Sequence, residues 1–275
     1  MIFVTVKGTK VPALGFGTWQ LTGIQCESAV AYALELGYRH IDTAQAYDNE
    51  REVGRAIKQS TIKRDAMFLT TKIAPDNVAP KDLSRSLTGS LDALGTDYVD
   101  LLLIHWPSAT VKMDETLQAM NEAKGRGQVK HIGVSNFTVA HMREAIEMHK
   151  ADVVCNQIEY HALLGQNRVI DFARAHAIMV TAYCPLARGR IADQPALATI
   201  AKRHGKSVAQ IALRWLIQQN GVSAIPKSSK REHIAANFAI FDFALSDAEM
   251  AKINKLRGDT RVVDPAFAPR WDPPG

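Results

Sequence analysis

Eight short segments rich in β-branched and aromatic residues recur along the chain, and stretches with helical spacing separate them. Several segments are continuously apolar, as is typical of parallel strands buried on both faces. The segments are LGFGTW (14–19), YRHIDT (38–43), MFLTTK (67–72), YVDLLLIHW (98–106), HIGVSN (131–136), VVCNQIEY (153–160), IMVTAYCP (178–185) and VSAIPKS (222–228). Eight strand–helix units favour an α/β fold of the (β/α)8 TIM-barrel type over an open sheet, with residues 1–275 as a single domain.

The intervening helices carry start and stop signals. In CESAVAYALELG (26–37) the apolar residues fall on one stripe, and Gly37 is placed to end the helix. PKDLSRSLTGSLDALG (80–95) has Pro80 at its start and Gly95 at its end. A third helix is predicted over 207–221, and the first twelve residues predict a β-hairpin ahead of the barrel.

Composition narrows the classes of function. The formal net charge is only +5, and no dense block of Lys and Arg with interleaved aromatic residues is present, so nucleic acid is not expected as a partner. The three cysteines are widely spaced, with no CxxC pair and no disulfide pattern. No apolar run approaches the roughly 18 residues of a membrane helix. These features predict a soluble cytoplasmic protein with reduced thiols and no membrane association.

Polar and aromatic side chains stand at the ends of the predicted strands. They are Trp19, Asp42, Lys72, His105, Ser135, Asn136, Gln157, Tyr183 and Lys227, with Tyr47 on the loop after Asp42. Each alone has an ordinary explanation, such as a turn former, a solvated lysine or a hydrogen-bonded core histidine. In a TIM barrel, however, the C-terminal strand ends converge on one site, so the set as a whole predicts a catalytic centre.

Four of these residues suit one chemical task. A tyrosine with an ordinary pKa near 10 is a reluctant acid, and a neighbouring lysine favours the phenolate. An aspartate holds that lysine in place, and a neutral histidine can orient a carbonyl oxygen. We therefore expect Tyr47 to have its acidity tuned towards working pH by Lys72 and Asp42, with His105 beside it. The electron pair must come from a cofactor, because no side chain donates hydride.

These residues resemble the Asp–Tyr–Lys–His tetrad of the aldo-keto reductases. The resemblance covers nearly the whole chain and is carried by GFGTW, YRHIDTAQAYDNEREVGRAI, MFLTTK, DYVDLLLIHWP, KHIGVSNF, NQIEYH, AYCPLARG and IPKSSKREHIAANFAIFDF. The segment RVVDPAFAPRWD is similar to the bacterial branch that contains 2,5-diketo-D-gluconate reductases and methylglyoxal reductases.

The resemblance implies a role for each matching residue. Tyr47 would be the general acid, Lys72 and Asp42 its tuning pair, and His105 the carbonyl-orienting residue. Ser135, Asn136 and Gln157 would hold the nicotinamide carboxamide, and Tyr183 would stack on the ring. Leu186 would lie in the loop over the pyrophosphate, and Trp19 and Trp106 would line the substrate pocket, although core packing is the competing explanation for the tryptophans.

The segment IPKSSKREHIAANF matches the region that grips the adenosine 2′-phosphate, through Lys227, Ser228 and Asn237. His233 stands where relatives commonly carry arginine, and an imidazole is a weaker phosphate clamp than a planar, permanently charged guanidinium. Lys230 and Arg231 are the obvious substitutes, although solvation at the start of a helix explains these residues equally well. The expected cofactor is NADPH, with NADH as a possible second.

The resemblance implies a monomeric reductase of small aldehydes, ketones and α-dicarbonyls. Two other hypotheses stay open from the sequence. A metal-dependent hydrolase could use His105, His161 and Asp42 as ligands, although no HxH or HExxH motif supports it, and we expect no metal. A non-catalytic NADP(H)-binding regulatory barrel is the other alternative, and the complete tetrad speaks against it.

Overall fold

Eight parallel strands form the centre of the molecule and follow one another in space in their chain order. A computed structural model of the chain describes residues 1–273. An antiparallel hairpin of β1 (Phe3–Val6) and β2 (Thr9–Pro12) precedes β3 (Phe16–Gly17), β4 (His40–Asp42), β5 (Phe68–Ile73), β6 (Val99–Ile104), β7 (Val129–Ser135), β8 (Val153–Glu159), β9 (Met179–Tyr183) and β10 (Val222–Ala224).

Helices alternate with these strands. They are α1 (Gly23–Leu36), α2 (Glu50–Gln59), α3 (Pro80–Leu94), α4 (Met113–Gly125), α5 (Val139–Arg143) with a π-helical turn at Glu144–Met148, α6 (Asn167–Ala175), α7 (Pro195–His204), α8 (Val208–Ile217), α9 (Arg231–Phe238) and α10 (Asp247–Asn254). Short 3₁₀ turns occupy Gln45–Tyr47, Arg64–Ala66, Pro75–Asn77 and Ala187–Gly189. None of the helices within residues 1–273 is long and apolar enough to cross a bilayer.

The first and last strands of the sheet meet and close the barrel. Gly15 donates its N–H to the carbonyl of Ala224 at 2.9 Å, and Ala224 donates to Ala13 at 2.8 Å. Gly17 donates to Pro226 at 3.0 Å. Closure removes both sheet edges, so the predicted (β/α)8 TIM barrel is confirmed.

The hairpin covers the N-terminal end of the barrel and leaves the opposite end open. Lys7 donates from Nζ to the carbonyl of Val153, the first residue of β8, at 3.0 Å. Thr9 on β2 hydrogen-bonds His131 on β7. The hairpin predicted from the first twelve residues is therefore confirmed. The C-terminal strand ends remain accessible, and these are the ends at which the sequence predicts the site.

All eight predicted strands exist, but the end strands are shorter than predicted. The segment 222–228 is a strand only to Ala224, because Pro226 has no N–H to donate to a ladder. Gly37 and Gly95 end α1 and α3 in the left-handed conformation, with φ of 114° and 64°, as predicted. The third predicted helix, 207–221, was too long: it ends at Ile217, and the chain turns into β10 through Gly221 at φ 74°.

The packing of α2 against α3 gives a stability test. A Cβ on Gly54 would lie 2.6 Å from the carbonyl oxygens of Ala93 and Leu94, whereas a Cβ on Gly89 of α3 would meet nothing within 4 Å. We expect Gly54→Ala to lower the free energy of unfolding by about 1–3 kcal/mol through overpacking. We expect Gly89→Ala to raise it by about 0.5–1 kcal/mol through helix propensity. Urea unfolding of both variants measures the difference, and equal stability would contradict the contact.

Candidate active site

A cavity of about 610 Å³ opens at the C-terminal ends of the strands. It brings together most of the residues that the sequence singled out. The predicted residues that line it are Trp19, Asp42, Tyr47, His105, Trp106, Ser135, Asn136, Gln157, Tyr183, Leu186 and Lys227. Lys72 lies directly beneath this lining and contacts Tyr47 and Asp42. Ser228, His233 and Asn237 lie outside the cavity wall, in the segment after β10 and on α9.

Lys72 is the centre of the site and is fully buried. Its Nζ donates to Asp42 Oδ1 at 2.5 Å, to the carbonyl oxygen of Thr43 at 2.8 Å and to Tyr47 Oη at 3.2 Å. An ammonium has three N–H donors, so each donor has one acceptor. The Tyr47 oxygen therefore accepts from Lys72, and the phenol proton points away from the lysine.

Asp42 joins Lys72 to the opposite side of the barrel. Its Oδ2 accepts from Gln157 Nε2 at 2.7 Å, while its Oδ1 faces the lysine. Asp42 ends β4, Lys72 lies near the end of β5 and Gln157 lies near the end of β8. Residues far apart in the chain thus meet because parallel strands of one barrel end at the same rim.

The pKa shifts of Tyr47 and Lys72 follow from burial and from their mutual contact. Burial raises the pKa of Tyr47, and the attraction of Lys72 offsets this only in part. From the sequence we expected the neighbours of Tyr47 to lower its pKa towards working pH. The surrounding residues of the folded chain instead raise that pKa, so this expectation is wrong. Burial opposes the charge on Lys72, but Asp42 and Tyr47 outweigh it and raise the lysine pKa. The pair is accordingly a neutral phenol beside a firmly charged ammonium.

His105 faces Tyr47 across the floor of the cavity. The two ring centroids are 5.7 Å apart in an edge-to-face arrangement. Burial, with the positive charge of Lys72, lowers the pKa of His105 to about 3. The imidazole is therefore neutral at physiological pH. Its Nδ1 atom is buried and has no hydrogen-bond partner in the described part of the chain.

Ser135, Asn136 and Tyr183 form a hydrogen-bonded chain along one wall. Ser135 Oγ donates to the carbonyl of Gln157 at 2.9 Å, and Asn136 Nδ2 donates to the carbonyl of His105 at 3.0 Å. Tyr183 Oη donates to Asn136 Oδ1 at 2.7 Å, which fixes the position of the tyrosine ring on the cavity wall. Asn136 has φ 62°, a left-handed conformation that asparagine tolerates better than most residues.

Two residues that the sequence analysis did not single out hold the Tyr47 loop in place. Asn49 is fully buried, accepts from Thr43 Oγ1 at 2.7 Å and donates to the carbonyl of Thr18 at 2.9 Å. Glu50 accepts from the hydroxyl of Thr71, the neighbour of Lys72. They lie two and three residues after Tyr47 in DTAQAYDNE, so their position in that motif was the available signal.

Two cations line the cavity without an acidic partner among residues 1–273. Lys227 makes no ion pair, and Arg188 lies over the ring of Trp19, 5.0 Å from its centroid. Arg188 has φ 51° in the loop after β9 and is held there against local strain. Among residues 1–273, Asp42 is the one carboxylate side chain of the lining, and it is already paired with Lys72. The part of the cavity lined by Lys227 and Arg188 therefore suits an anionic group.

Arg231 does not serve the cavity. Its guanidinium lies 3.9 Å from the ring centroid of Tyr32 and 3.8 Å from a carboxylate oxygen of Glu35, both on α1. The expectation that Arg231 replaces the missing arginine of the phosphate clamp therefore lacks support. Lys230 is exposed near the start of α9, and its backbone N–H binds Ser228 Oγ.

The C-terminal tail completes the other side of the cavity. Val263 lines it, and the rings of Phe267 and Trp271 pack on Trp106 at centroid distances of 5.3 and 6.0 Å. Trp106 is therefore both a cavity wall and a packing partner of the tail. The sequence predicted Trp106 but gave no pattern from which the tail contact could be read.

Two of the three residues proposed as metal ligands, His161 and Asp42, bind other side chains. His161 Nε2 binds Glu159 at 2.9 Å, and Asp42 binds Lys72 and Gln157. Across residues 1–273, no group of three or more His, Cys, Asp or Glu side chains is arranged to hold a metal ion.

Comparison with known proteins agrees with this geometry. Methylglyoxal reductase DkgB of Yersinia pestis is 43% identical over 267 residues, covering 96% of this chain and all of that protein. A crystal structure of a putative 2,5-diketo-D-gluconic acid reductase B superposes with a TM-score of 0.96 at 45% identity, covering 99% of this chain and 98% of the other. The aldose reductase of Schistosoma japonicum superposes with a TM-score of 0.91 at 32% identity, covering 95% and 94%.

These relatives confirm the resemblance on which the sequence motifs rest, including its bacterial branch. Residues 13–257, from just before β3 to just after α10, match the Aldo/keto reductase family. The chain belongs to the aldo/keto reductase family and is an oxidoreductase that acts on carbonyl compounds.

Proposed function

We propose that the protein is an NADPH-dependent reductase of small aldehydes and ketones in which Tyr47 is the general acid. The observation that carries the proposal is the three-way contact of Lys72, whose donors are taken by Asp42, Thr43 and Tyr47. Because Lys72 donates to the phenol oxygen, the phenol proton is free to be donated into the cavity. The named relatives, a methylglyoxal reductase and a diketogluconate reductase, support α-dicarbonyls as substrates.

Tyr47 protonates the carbonyl oxygen in this proposal. The raised pKa of Tyr47 keeps the phenol protonated at neutral pH, so the proton is present when substrate arrives. As the proton leaves, negative charge develops on an oxygen 3.2 Å from the Lys72 ammonium. This attraction is stronger in the transition state than in the ground state, which is the condition for lowering the barrier.

His105 orients the carbonyl. A buried N–H without an acceptor is rare in proteins, so the unpartnered Nδ1 is best assigned as the unprotonated nitrogen. The proton then resides on Nε2, which makes His105 a neutral hydrogen-bond donor. A neutral donor can hold the substrate oxygen near Tyr47 without competing to protonate it.

The cavity fits a nicotinamide dinucleotide. Tyr183 offers a ring fixed by Asn136, and Gln157 Oε1 has no donor within residues 1–273, so it is available to a carboxamide. Arg188 and Lys227 line the cavity without an acidic partner in the described part of the chain, and in this proposal they face the phosphates. When bound, the cofactor supplies the hydride that goes to the carbonyl carbon. Ser135, Leu186 and Asn136 complete the proposed cofactor wall.

NADPH is the proposed cofactor because of Lys227. Ser228, His233 and Asn237 would extend the adenosine contacts beyond the cavity, with Lys230 as an exposed cation near them. We expect the protein to prefer NADPH but still to use NADH. The preference is limited because His233 binds a phosphate more weakly than arginine does and because Arg231 contacts α1 instead.

We further propose that the protein is a single-domain, cytoplasmic monomer. The free state of Cys26, Cys155 and Cys184 is in keeping with a reducing compartment. Following NADPH absorbance against methylglyoxal, 2,5-diketo-D-gluconate and an aromatic aldehyde tests the activity. Oxidation with any of them supports the reductase. Binding of NADPH without turnover would favour a regulatory barrel instead.

The Tyr47→Phe variant tests the proton donor. We expect the rate of carbonyl reduction to fall by about 100- to 10,000-fold, because only the acidic hydroxyl is deleted. The dissociation constant of NADPH should stay nearly unchanged, as fluorescence titration can show. Tyr160→Phe is the matched control, since Tyr160 is also buried but its hydroxyl binds Gln219 away from the cavity. A Tyr47→Phe variant with near wild-type rate would exclude the assignment.

The pH profile tests the state of His105. With a pKa of about 3, the imidazole is neutral well below neutral pH, so lowering the pH to 5 does not charge it. We expect kcat/KM to show no imidazole titration between roughly pH 5 and pH 8. An inflection near pH 6.5 that is absent from a His105→Gln variant would contradict a neutral His105.

The Lys227→Ala variant tests the cofactor preference. We expect NADPH affinity to fall roughly tenfold or more, the value of one hydrogen bond to a charged group, with a smaller change for NADH. Arg231→Ala is the matched control and should leave the ratio of the two dissociation constants unchanged, because Arg231 contacts Tyr32 and Glu35. Equal losses for NADPH and NADH in Lys227→Ala would show that Lys227 does not read the 2′-phosphate.

A further inference from the structure

The C-terminal tail lies beside the cavity and is attached to the loop after β8. Gly165 donates its N–H to the carbonyl of Gly258 at 2.8 Å. Leu163 accepts at its carbonyl from Gly258 at 3.2 Å and from Thr260 at 3.3 Å. These backbone contacts bring the following residues, 262–272, to the rim of the barrel, and we call this segment the C-terminal strap.

The side chain of Glu159 binds the first residues of the strap. It is the last residue of β8, and its side chain is fully buried. Oε1 accepts from the N–H of Val262 at 2.7 Å and from His161 Nε2 at 2.9 Å, and Oε2 accepts from the N–H of Val263 at 2.8 Å. His161 Nδ1 accepts from the N–H of Leu163, which leaves the imidazole proton on Nε2 for Glu159.

The far end of the strap is fixed separately. Asp272 Oδ2 accepts from the N–H of Val139 at 2.8 Å, at the first turn of α5. Between the two attachments, Phe267 and Trp271 lie on Trp106, and Trp271 Nε1 donates to Asp264 Oδ1 at 2.8 Å. The strap therefore crosses the rim from β8 to α5 and contacts the cavity through Val263 and Trp106.

We propose that Glu159 is a positioning residue for the carbonyl pocket, acting through the C-terminal strap on Val263 and Trp106. The inference rests on the proposed function. Glu159 is outside the cavity lining and so does not touch the reacting atoms. A carboxylate presents acceptors to all three N–H groups, which a glutamine cannot do, because its amide nitrogen would face a backbone N–H. The carboxylate oxygens thus match the N–H groups of the strap in a way that the amide isostere does not.

The test compares Glu159→Gln with Asp100→Asn. Asp100 is also a buried carboxylate that accepts a backbone N–H, from Leu69, but its partners Arg64 and Lys130 lie away from the strap. For Glu159→Gln we expect KM for methylglyoxal to rise roughly tenfold, with kcat changed less than about twofold and NADPH affinity kept. Asp100→Asn should alter none of these constants, although both variants lose stability.

A double variant shows whether the strap carries the effect. Trp271→Ala removes a contact with Trp106, so the KM increases of Glu159→Gln and Trp271→Ala should be less than additive in free energy. Full additivity, or a wild-type KM in Glu159→Gln, overturns the proposal. A loss in kcat equal to the loss in kcat/KM also overturns it.

Hydrogen exchange separates this inference from the proposed function. The amides of Val262 and Val263 should be protected in the wild-type protein and should exchange faster in Glu159→Gln, whether or not any carbonyl is reduced. Unchanged protection would overturn the anchoring role. A wild-type protein that reduces no carbonyl would overturn the proposed function, and with it the pocket role of Glu159. The exchange rates of Val262 and Val263 would still show whether Glu159 anchors the strap.

Discussion

The site depends on a buried ammonium with three acceptors. Placing the charge of Lys72 inside a barrel costs several kcal/mol unless it is paired and fully hydrogen-bonded. Asp42 supplies the opposite charge, Thr43 a backbone carbonyl and Tyr47 the third oxygen. The same contacts that make the charge tolerable determine which way the phenol proton of Tyr47 faces, so stability and proposed chemistry share one arrangement.

The sequence predicted the barrel and the residues around Lys72 because both signals are local. Continuous apolar strands indicated a parallel sheet, and strand ends in such a sheet meet at one rim. The net pKa of Tyr47 could not be predicted in this way, because the burial that raises it depends on the folded cavity. Strand lengths were also overestimated where the chain leaves the sheet, as after Ala224.

Contacts between segments that are distant in the sequence account for most of the remaining differences between the sequence-based predictions and the structure. Arg231 looked available for a phosphate because it lies in the segment that resembles the 2′-phosphate grip, yet it packs on Tyr32, about two hundred positions earlier. The attachment of Val262 and Val263 to Glu159 likewise joins residues more than one hundred positions apart. Neither hydrophobic periodicity nor a short sequence motif predicts such long-range contacts. Such contacts determine which cations line the cavity and which residues form its wall at the C-terminal tail.

We propose that the phenol proton of Tyr47, kept in place by burial and directed into the cavity by the Lys72 contact, moves to the carbonyl oxygen during reduction. Single-turnover oxidation of bound NADPH by methylglyoxal, followed in H₂O and in D₂O, tests it most directly. We expect a slower reaction in D₂O for the wild-type protein, because the phenol proton is being transferred in the transition state. Equal rates in the two solvents would contradict it.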